Sequence, residues 1–171
     1  MKYLKMTGLF LMMAMTALFA EQKIGFIYSE KIMAEYEEAV DAMKKLEVEA
    51  QELQKIYREM QTDYQSLVQE YEKRKLVSSD AWKRQKQKEI QDKERQLQEF
   101  QQEKYGQNGE IYQKEAEYLN PILEKINDIL KVVGEEKGYD YIIDASKGTI
   151  VYANETHDIT EMVLQELKKS E

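Results

Sequence analysis

The densest cluster of side chains that could bind a charged ligand lies in the middle of the chain. Residues 73–88 contain seven basic residues and one acidic residue, Asp80, so this basic segment has a net charge of +6. Basic groups around a tryptophan suit an anionic lipid surface or an acidic polypeptide. The alternative is a solvated surface that only maintains solubility. The candidate contact residues of the basic segment are Lys73, Arg74, Lys75, Trp82, Lys83, Arg84, Lys86 and Lys88.

The residue types that carry most covalent and metal chemistry are scarce. The 171 residues include no cysteine, which excludes disulfides, thiolate zinc sites and a cysteine nucleophile. The lone histidine, His157, argues against a Ser-His-Asp triad and excludes a multi-histidine metal site. The sequence also has no Gly-rich phosphate loop. We therefore expect no enzyme and no cofactor, and we interpret His157 as a surface residue beside a helix cap.

The first twenty residues predict a cleavable signal peptide. Lys2 and Lys5 precede an uncharged run that ends at Ala20, and charge returns at Glu21. Fifteen helical residues span roughly 22 Å, short of the ~30 Å hydrocarbon core, so an uncleaved anchor fits less well. The mature chain, residues 21–171, would act outside the cytoplasm. Its net charge is −10, or −16 without the basic segment, which argues against binding of nucleic acid.

Apolar residues from Tyr36 to Tyr71 recur at alternating spacings of three and four. The pattern continues for five heptads and predicts a left-handed coiled coil. Ser78-Ser79-Asp80 supplies a turn signal between two segments of 40 residues, each roughly 60 Å long as a helix. We predict an antiparallel helical hairpin over residues 36–119 with its tip near residues 77–80.

The register of the predicted hairpin pairs Tyr57 with Phe100 and Ala39 with Tyr118. Gly106 and Gly109 interrupt the descending helix, and each costs a helix interior about 1 kcal/mol relative to alanine. We interpret these two glycines as a candidate hinge. The alternative is a local accommodation of packing.

The two ends of the chain predict a small β-containing body made of residues 21–35 and 120–171. Residues 23–28, 139–144 and 149–154 have the composition of strands, with a turn at 146–148 between the last two. Asn120-Pro121 predicts the start of a helix over 121–136. So small a body with open strand edges would gain stability from self-assembly. The residues assigned to this assembly are Ile24, Phe26, Tyr139, Tyr141, Ile143, Ile150 and Tyr152. The predicted fold class is α+β, predominantly helical, with a three-stranded body and an inserted coiled-coil hairpin.

The chain resembles the Skp/OmpH family of periplasmic chaperones. The matching stretches are residues 23–32, the charged hairpin, and residues 138–144 and 150–160. The resemblance implies a homotrimer whose strand-bearing ends form a central body and whose hairpins surround a cavity. It also implies a periplasmic, ATP-independent holdase that binds unfolded outer-membrane proteins after export and prevents their aggregation. A basic hairpin tip is typical of the family, and the basic segment fits it.

The sequence departs from the family in two respects. Glu37 stands where many members have proline, so the first short helix could continue directly into the arm. The chain is acidic, whereas familiar members are basic, which restricts an expected contact with lipopolysaccharide or anionic lipid to the hairpin tip. Tyr64 and Tyr71 are the candidate cavity contacts. The alternative function is a structural coiled-coil spacer or adaptor of the cell envelope.

Overall fold

A computed structural model describes residues 22–148 and 150–170, and the predicted signal peptide lies outside them. The described chain divides into an arm unit, residues 33–126, and a body unit made of the described residues before position 33 and after position 126. The elements in chain order are β1 (Ile24–Ile27), α1 (Ser29–Glu35), α2 (Glu37–Arg74), α3 (Asp80–Tyr105), α4 (Glu110–Lys137), β2 (Tyr141–Asp144), a 3-10 helix (Glu155–His157) and α5 (Thr160–Lys169). The prediction of a predominantly helical α+β chain is confirmed.

Helices α2 and α3 form the predicted antiparallel hairpin of the arm unit. The ring of Tyr57 stacks on the ring of Phe100, with centroids 6.1 Å apart and 18° between the planes, which confirms this predicted pair. Leu53 is buried, whereas Leu67 and Leu97 are only half-buried. Residues at the contact between the two helices, the seam, are covered on one side only, because no third helix of the described chain packs against them. Their side chains therefore remain partly exposed to solvent.

The end of the arm unit opposite the tip, which we call the base, has an apolar core. Its buried residues are Tyr36, Ala39, Ala42, Ile122 and Ile126. The backbone of Tyr36 is extended, with φ −79° and ψ 118°, and it separates α1 from α2. The expectation that the first helix continues into the arm is therefore wrong. The extended backbone places the Tyr36 ring in this core, and burial of an aromatic ring stabilises the interruption without a proline.

The predicted pairing of residues across the hairpin is wrong at the base, although it is correct at Tyr57 and Phe100. Tyr118, predicted to face Ala39, instead donates a hydrogen bond from its hydroxyl to Glu49, at 3.2 Å. The reason lies in the descending chain, which leaves helical geometry between Tyr105 and Glu110. Residues in this break advance less far along the axis than helical residues do, so the base register shifts relative to the tip register.

The predicted helix start at Asn120-Pro121 is also wrong, because α4 runs from Glu110 through Pro121 to Lys137. A proline inside a helix removes one backbone hydrogen bond and costs about 3 kcal/mol. Ile122 and Ile126 follow it and are both buried. Burial of two isoleucine side chains contributes a comparable free energy, so packing preserves the helix.

The sheet of the body unit joins the two ends of the chain. Strands β1 and β2 are parallel, with Ile24 opposite Tyr141 and Ile27 opposite Asp144. The other edge of β1 forms a bridge to Asp158, and the Ile159 N–H donates to the Phe26 carbonyl at 2.9 Å. The apolar core beneath consists of Phe26, Ile27, Ile32, Val133, Ile159, Val163, Leu164 and Leu167.

The third predicted strand is absent from residues 150–154 of this chain, and Thr149 lies outside the described residues. The turn after β2 forms, with Gly148 in the left-handed region at φ 67°. However, β2 pairs in parallel with β1, and residues 150–154, predicted to form a hairpin with β2, do not run back along β2. Residues 150–154 therefore leave the turn without a ladder partner among the described strands.

Candidate functional site

The tip of the arm is a short connection between α2 and α3. Helix α2 ends at Arg74, and α3 begins at Asp80. The Ser79 hydroxyl caps α3 by accepting a hydrogen bond from the Trp82 N–H at 3.3 Å. A serine at this position satisfies one of the backbone donors that a helix start leaves without a partner.

Trp82 is packed into the tip instead of projecting from it. Its ring stacks on Tyr71, with centroids 6.0 Å apart and planes only 7° apart. The Arg74 guanidinium lies 5.0 Å from the centroid of the Trp82 ring. Gln87 donates a hydrogen bond to the Tyr71 hydroxyl at 2.9 Å, which fixes the second ring. Trp82 therefore joins the two helices of the tip, which the sequence pattern alone did not indicate.

The most exposed apolar side chains of the tip are two residues that the predicted site omits. Leu76 is 88% exposed and Val77 is 86% exposed. Both lie inside the basic segment, between the end of α2 and the start of α3. The signal for them was present in the sequence, because they are aliphatic residues in the turn of a hairpin, where no helix face can cover them.

Part of the positive charge at the tip is neutralised by neighbouring carboxylates. Lys75 pairs with Glu72 at 2.6 Å, and this hydrogen bond raises the pKa of Lys75. Lys86 pairs with Glu89 at 2.9 Å and with Glu70 at 3.2 Å, and these hydrogen bonds raise the pKa of Lys86.

Other basic residues of the tip have different surroundings. Arg74 pairs with Glu70 and Lys83 with Asp80, each within one helical turn. Within the described part of the chain, Lys73, Arg84 and Lys88 make no ion pair. These three residues carry the positive charge that remains available to a ligand.

Several predicted assembly residues of the body unit are exposed in the single chain. Ile24, Tyr141 and Ile143 lie on the sheet with roughly half of each side chain exposed. Tyr152 is 87% exposed and its neighbour Val151, absent from the predicted set, is 99% exposed. Exposed apolar side chains of this size are candidates for an interaction surface.

Other residues of the predicted assembly set have partners inside the chain. Phe26 is buried in the body core, edge-on to Tyr28 at 5.6 Å. Tyr139 is half-buried beneath the Lys23 ammonium, which lies 4.2 Å from its ring centroid. Ile150 is half-buried and borders a groove of about 650 Å³ together with Tyr28 and Tyr152. The groove also has Glu155 and Glu161 in its wall.

The family model described as "Outer membrane protein (OmpH-like)" matches residues 23–167. The chain belongs to the OmpH-like family. It is 30% identical over 171 residues to the "Chaperone protein Skp" of Yersinia enterocolitica, covering 98% of this chain and 99% of that protein. It is 28% identical over 154 residues to the "Chaperone protein Skp" of Photorhabdus luminescens, covering 87% of each.

The fold of a solved OmpH-like protein is also similar. The crystal structure of an OmpH-like outer membrane chaperone from Caulobacter crescentus superimposes with a TM-score of 0.69. The match covers 89% of this chain and 87% of that chain, at 16% sequence identity. The likeness at this identity supports the OmpH-like fold.

Tyr64 and Tyr71 of this OmpH-like chain are both half-buried on the α2 side of the hairpin. Tyr71 already contacts Trp82 and Gln87. More apolar surface is exposed at Val48 and Tyr112, which the predicted set omits. The heptad pattern identifies residues at the contact between the two helices. It does not identify apolar residues on the other faces of these helices.

The rest of the OmpH-like chain shows no competing chemical site among the residues that the structure describes. These residues contain no cluster of His, Asp and Glu that could hold a metal ion. No helix within residues 22–148 and 150–170 is long and apolar enough to cross a membrane. His157 ends the 3-10 helix, and its Nδ1 lies 3.0 Å from the Ile24 carbonyl oxygen, which agrees with a structural role at the surface.

Proposed function

We propose that this chain is a periplasmic chaperone that binds unfolded outer-membrane proteins and prevents their aggregation without ATP. The observation that carries the proposal is the OmpH-like match over nearly all of the mature chain, with relatives named as chaperones. A signal peptide ending at Ala20 would direct the chain to that compartment. The absence of cysteine and the structural position of His157 agree with a binding function instead of catalysis.

The arm supplies many weak contacts for an unfolded polypeptide. Partly exposed apolar side chains lie along it among charged residues, including Val48, Tyr64 and Tyr112. A strand of an unfolded outer-membrane barrel exposes alternating apolar residues that can contact such a surface. Many contacts of small individual free energy retain the client and still allow its release when a membrane offers a better environment.

We further propose that the body unit assembles three chains. The exposed residues Ile24, Tyr141, Ile143, Val151 and Tyr152 would be covered by neighbouring copies. Among the described residues, the edge of β2 that faces away from β1 and the segment 150–154 have no strand partner, so both could form backbone hydrogen bonds across such an interface. The hairpins would then surround the cavity in which Tyr64 and Tyr71 are the proposed client contacts.

We propose anionic lipid or lipopolysaccharide as a second partner, at the tip. Lys73, Arg84 and Lys88 provide charge that no described carboxylate neutralises. Leu76 and Val77 provide apolar side chains that can enter the interfacial region of a bilayer. The contact is restricted to the tip, because the remainder of the mature chain is acidic.

The main proposal is tested by light scattering of a denatured outer-membrane barrel protein diluted into buffer. We expect the mature chain to suppress the scattering without added nucleotide, and native mass measurement to show an assembly with one bound client. A structural spacer would leave the scattering unchanged. A monomer that forms no complex would contradict both the chaperone and the trimer.

A further inference from the structure

The interruption between α3 and α4 is a defined turn within the arm unit. Gly106 leaves helical geometry at ψ 173°, and Asn108 adopts the left-handed region at φ 65°. The Gly109 N–H donates to the Gly106 carbonyl at 2.8 Å, and the Gln113 side-chain amide donates to the Asn108 carbonyl at 3.0 Å. Internal hydrogen bonds of this kind hold a turn in one conformation, which distinguishes it from a frayed helix end.

Both glycines are sterically required by this turn. A Cβ atom at Gly106 would lie 2.3 Å from the Gln102 carbonyl oxygen. A Cβ atom at Gly109 would lie 2.9 Å from the carbonyl oxygens of Glu103 and Gly106. Distances this short to backbone atoms exclude any side chain, so the two glycines permit the chain to leave the helix here.

A single ion pair joins the two sides of the turn. Lys104, in the last turn of α3, pairs with Glu110, the first residue of α4. Both side chains are partly buried, and the hydrogen bond that Lys104 donates to Glu110 raises the pKa of Lys104. In a continuous helix the two residues would lie about 9 Å apart along the axis, on different faces. The ion pair is therefore specific to the turned conformation.

The opposite helix is continuous where the descending chain is broken. Helix α2 has no interruption from Glu37 to Arg74. On the tip side of the turn, the Tyr57–Phe100 stack sets the register, and on the base side the Tyr118–Glu49 hydrogen bond and the Lys125–Glu38 ion pair set another. The turn thus connects two packed segments of one hairpin, and residues 106–109 are the backbone link between the two descending segments.

We propose that residues 106–109 are a hinge that the Lys104–Glu110 ion pair holds closed. When the ion pair opens, α3 can change its angle to α4, while the continuous α2 limits the extent of the bend. The purpose of the hinge rests on the proposed function, because an arm that bends can adapt to unfolded polypeptides of different size. The bend itself can be measured without any client.

The test measures distances across the turn by double electron–electron resonance. The chain contains no cysteine, so Gln91→Cys and Glu115→Cys, which are exposed positions on opposite sides of the turn, receive the only spin labels. Labelled chain is mixed with an excess of unlabelled chain, so that each assembly holds at most one labelled copy. We expect one narrow distance distribution in the parent protein. Glu110→Gln and Lys104→Met should each broaden it or add a second maximum.

Glu99→Gln is the matched control, because Glu99 pairs with Arg95 within α3 and does not reach across the turn. Hydrogen exchange supplies a second measurement. The amides of residues 105–112 should exchange about two- to fivefold faster in Glu110→Gln and in Lys104→Met than in the parent protein. Distributions that match the parent in both variants would overturn the proposal, and so would a parent already as broad as the variants. If the light-scattering assay fails while these distances change, the proposed function is wrong and the hinge stands.

Discussion

The rings of Tyr71 and Trp82 lie nearly parallel across the tip of the arm, 6.0 Å apart. One residue comes from the ascending helix and the other from the first turn of the descending helix, so the stack closes the hairpin. Trp82 is the only tryptophan in the chain, and its fluorescence therefore reports the state of the tip alone.

Replacement of Tyr71 by serine should expose Trp82 to water. We expect Tyr71→Ser to shift the tryptophan emission maximum to longer wavelength, because the variant removes the stacked ring and the acceptor of the Gln87 hydrogen bond. The measurement is steady-state fluorescence of the folded protein. Tyr64→Ser is the control and should leave the spectrum unchanged, since Tyr64 is not part of the stack. An identical shift in both variants would show that the arm as a whole had loosened.

The same two tyrosines should influence the retention of clients. The double variant Tyr64→Ser, Tyr71→Ser should release an unfolded barrel protein faster, by roughly 5- to 150-fold, since two lost aromatic contacts are together worth about 1–3 kcal/mol. The measurement is client dissociation followed by fluorescence of a labelled barrel protein. The assembled mass should stay unchanged. Unaltered suppression of aggregation would remove these residues from the proposed binding surface.

Asp144 should stabilise the body unit in a pH-dependent manner. Burial alone would raise the pKa of Asp144, but hydrogen bonds from Ser29 and Ser146 outweigh it and lower the pKa to about 2. A carboxylate whose pKa is lower in the folded state contributes stability above its unfolded pKa, near 4, and loses it as pH falls toward 2. Asp144→Ala should therefore lower the free energy of unfolding at pH 7 by about 1–2 kcal/mol.

Urea unfolding between pH 7 and pH 2 checks the Asp144 prediction. The parent should lose stability across the acid window more steeply than Asp144→Ala. Asp128→Ala is the control, because Asp128 is an exposed helix residue of the same unit. Parallel pH profiles for the parent and Asp144→Ala would contradict the assignment.

Tyr36 should tolerate loss of its hydroxyl but not of its ring. The ring is fully buried, and burial raises the pKa of the hydroxyl. The hydroxyl lies beside the Lys125–Glu38 ion pair but forms no hydrogen bond of regular geometry with a described residue. Tyr36→Phe removes an unsatisfied polar atom and should be neutral or stabilising by up to about 1 kcal/mol. Tyr36→Ala should cost about 3–5 kcal/mol. Chemical unfolding measures both, and a loss above about 2 kcal/mol in Tyr36→Phe would mean that the hydroxyl is bonded.

Val151 and Tyr152 should support assembly without supporting the fold of one chain. Both side chains are almost fully exposed, so Val151→Ser with Tyr152→Ser should leave the circular dichroism spectrum of the chain unchanged. Loss of their burial at an interface should raise the concentration for dissociation at least about tenfold. Sedimentation at several concentrations measures this effect. Leu76→Ser with Val77→Ser, equally exposed at the tip, is the matched control, and equal masses in both pairs would contradict the proposed interface.

The sequence predicts the arm well where structure depends on local periodicity. The heptad pattern that places Tyr57 against Phe100 can be recognised from the local sequence of each helix. The turn between the two helices is also recognisable, because Ser79 caps the start of α3. The register at the base depends instead on how many residues the turn at 106–109 absorbs, and spacing alone cannot give that number. Tyr118 therefore meets Glu49 and not Ala39.

Competition between packing and local preference explains the other differences. Pro121 is a start signal by local rules, yet α4 passes through it because Ile122 and Ile126 are buried. Residues 149–154 have the composition of a strand, but a strand needs a partner, and residues 150–154 pair with neither of the described strands. The stack between Tyr71 and Trp82 joins two helices through side-chain geometry, which neither residue type nor spacing specifies.

The parallel pairing of β1 with β2 joins Ile24 to Tyr141, residues near opposite ends of the mature sequence. Such a pairing has high contact order, whereas the hairpin is built from contacts that begin a few residues apart at its turn. Because synthesis runs from the N-terminus, β1 cannot pair with β2 until residues 141–144 have been added to the chain. We expect the arm to fold early and the body last, so that a truncated or stalled chain presents a helical hairpin without a completed sheet.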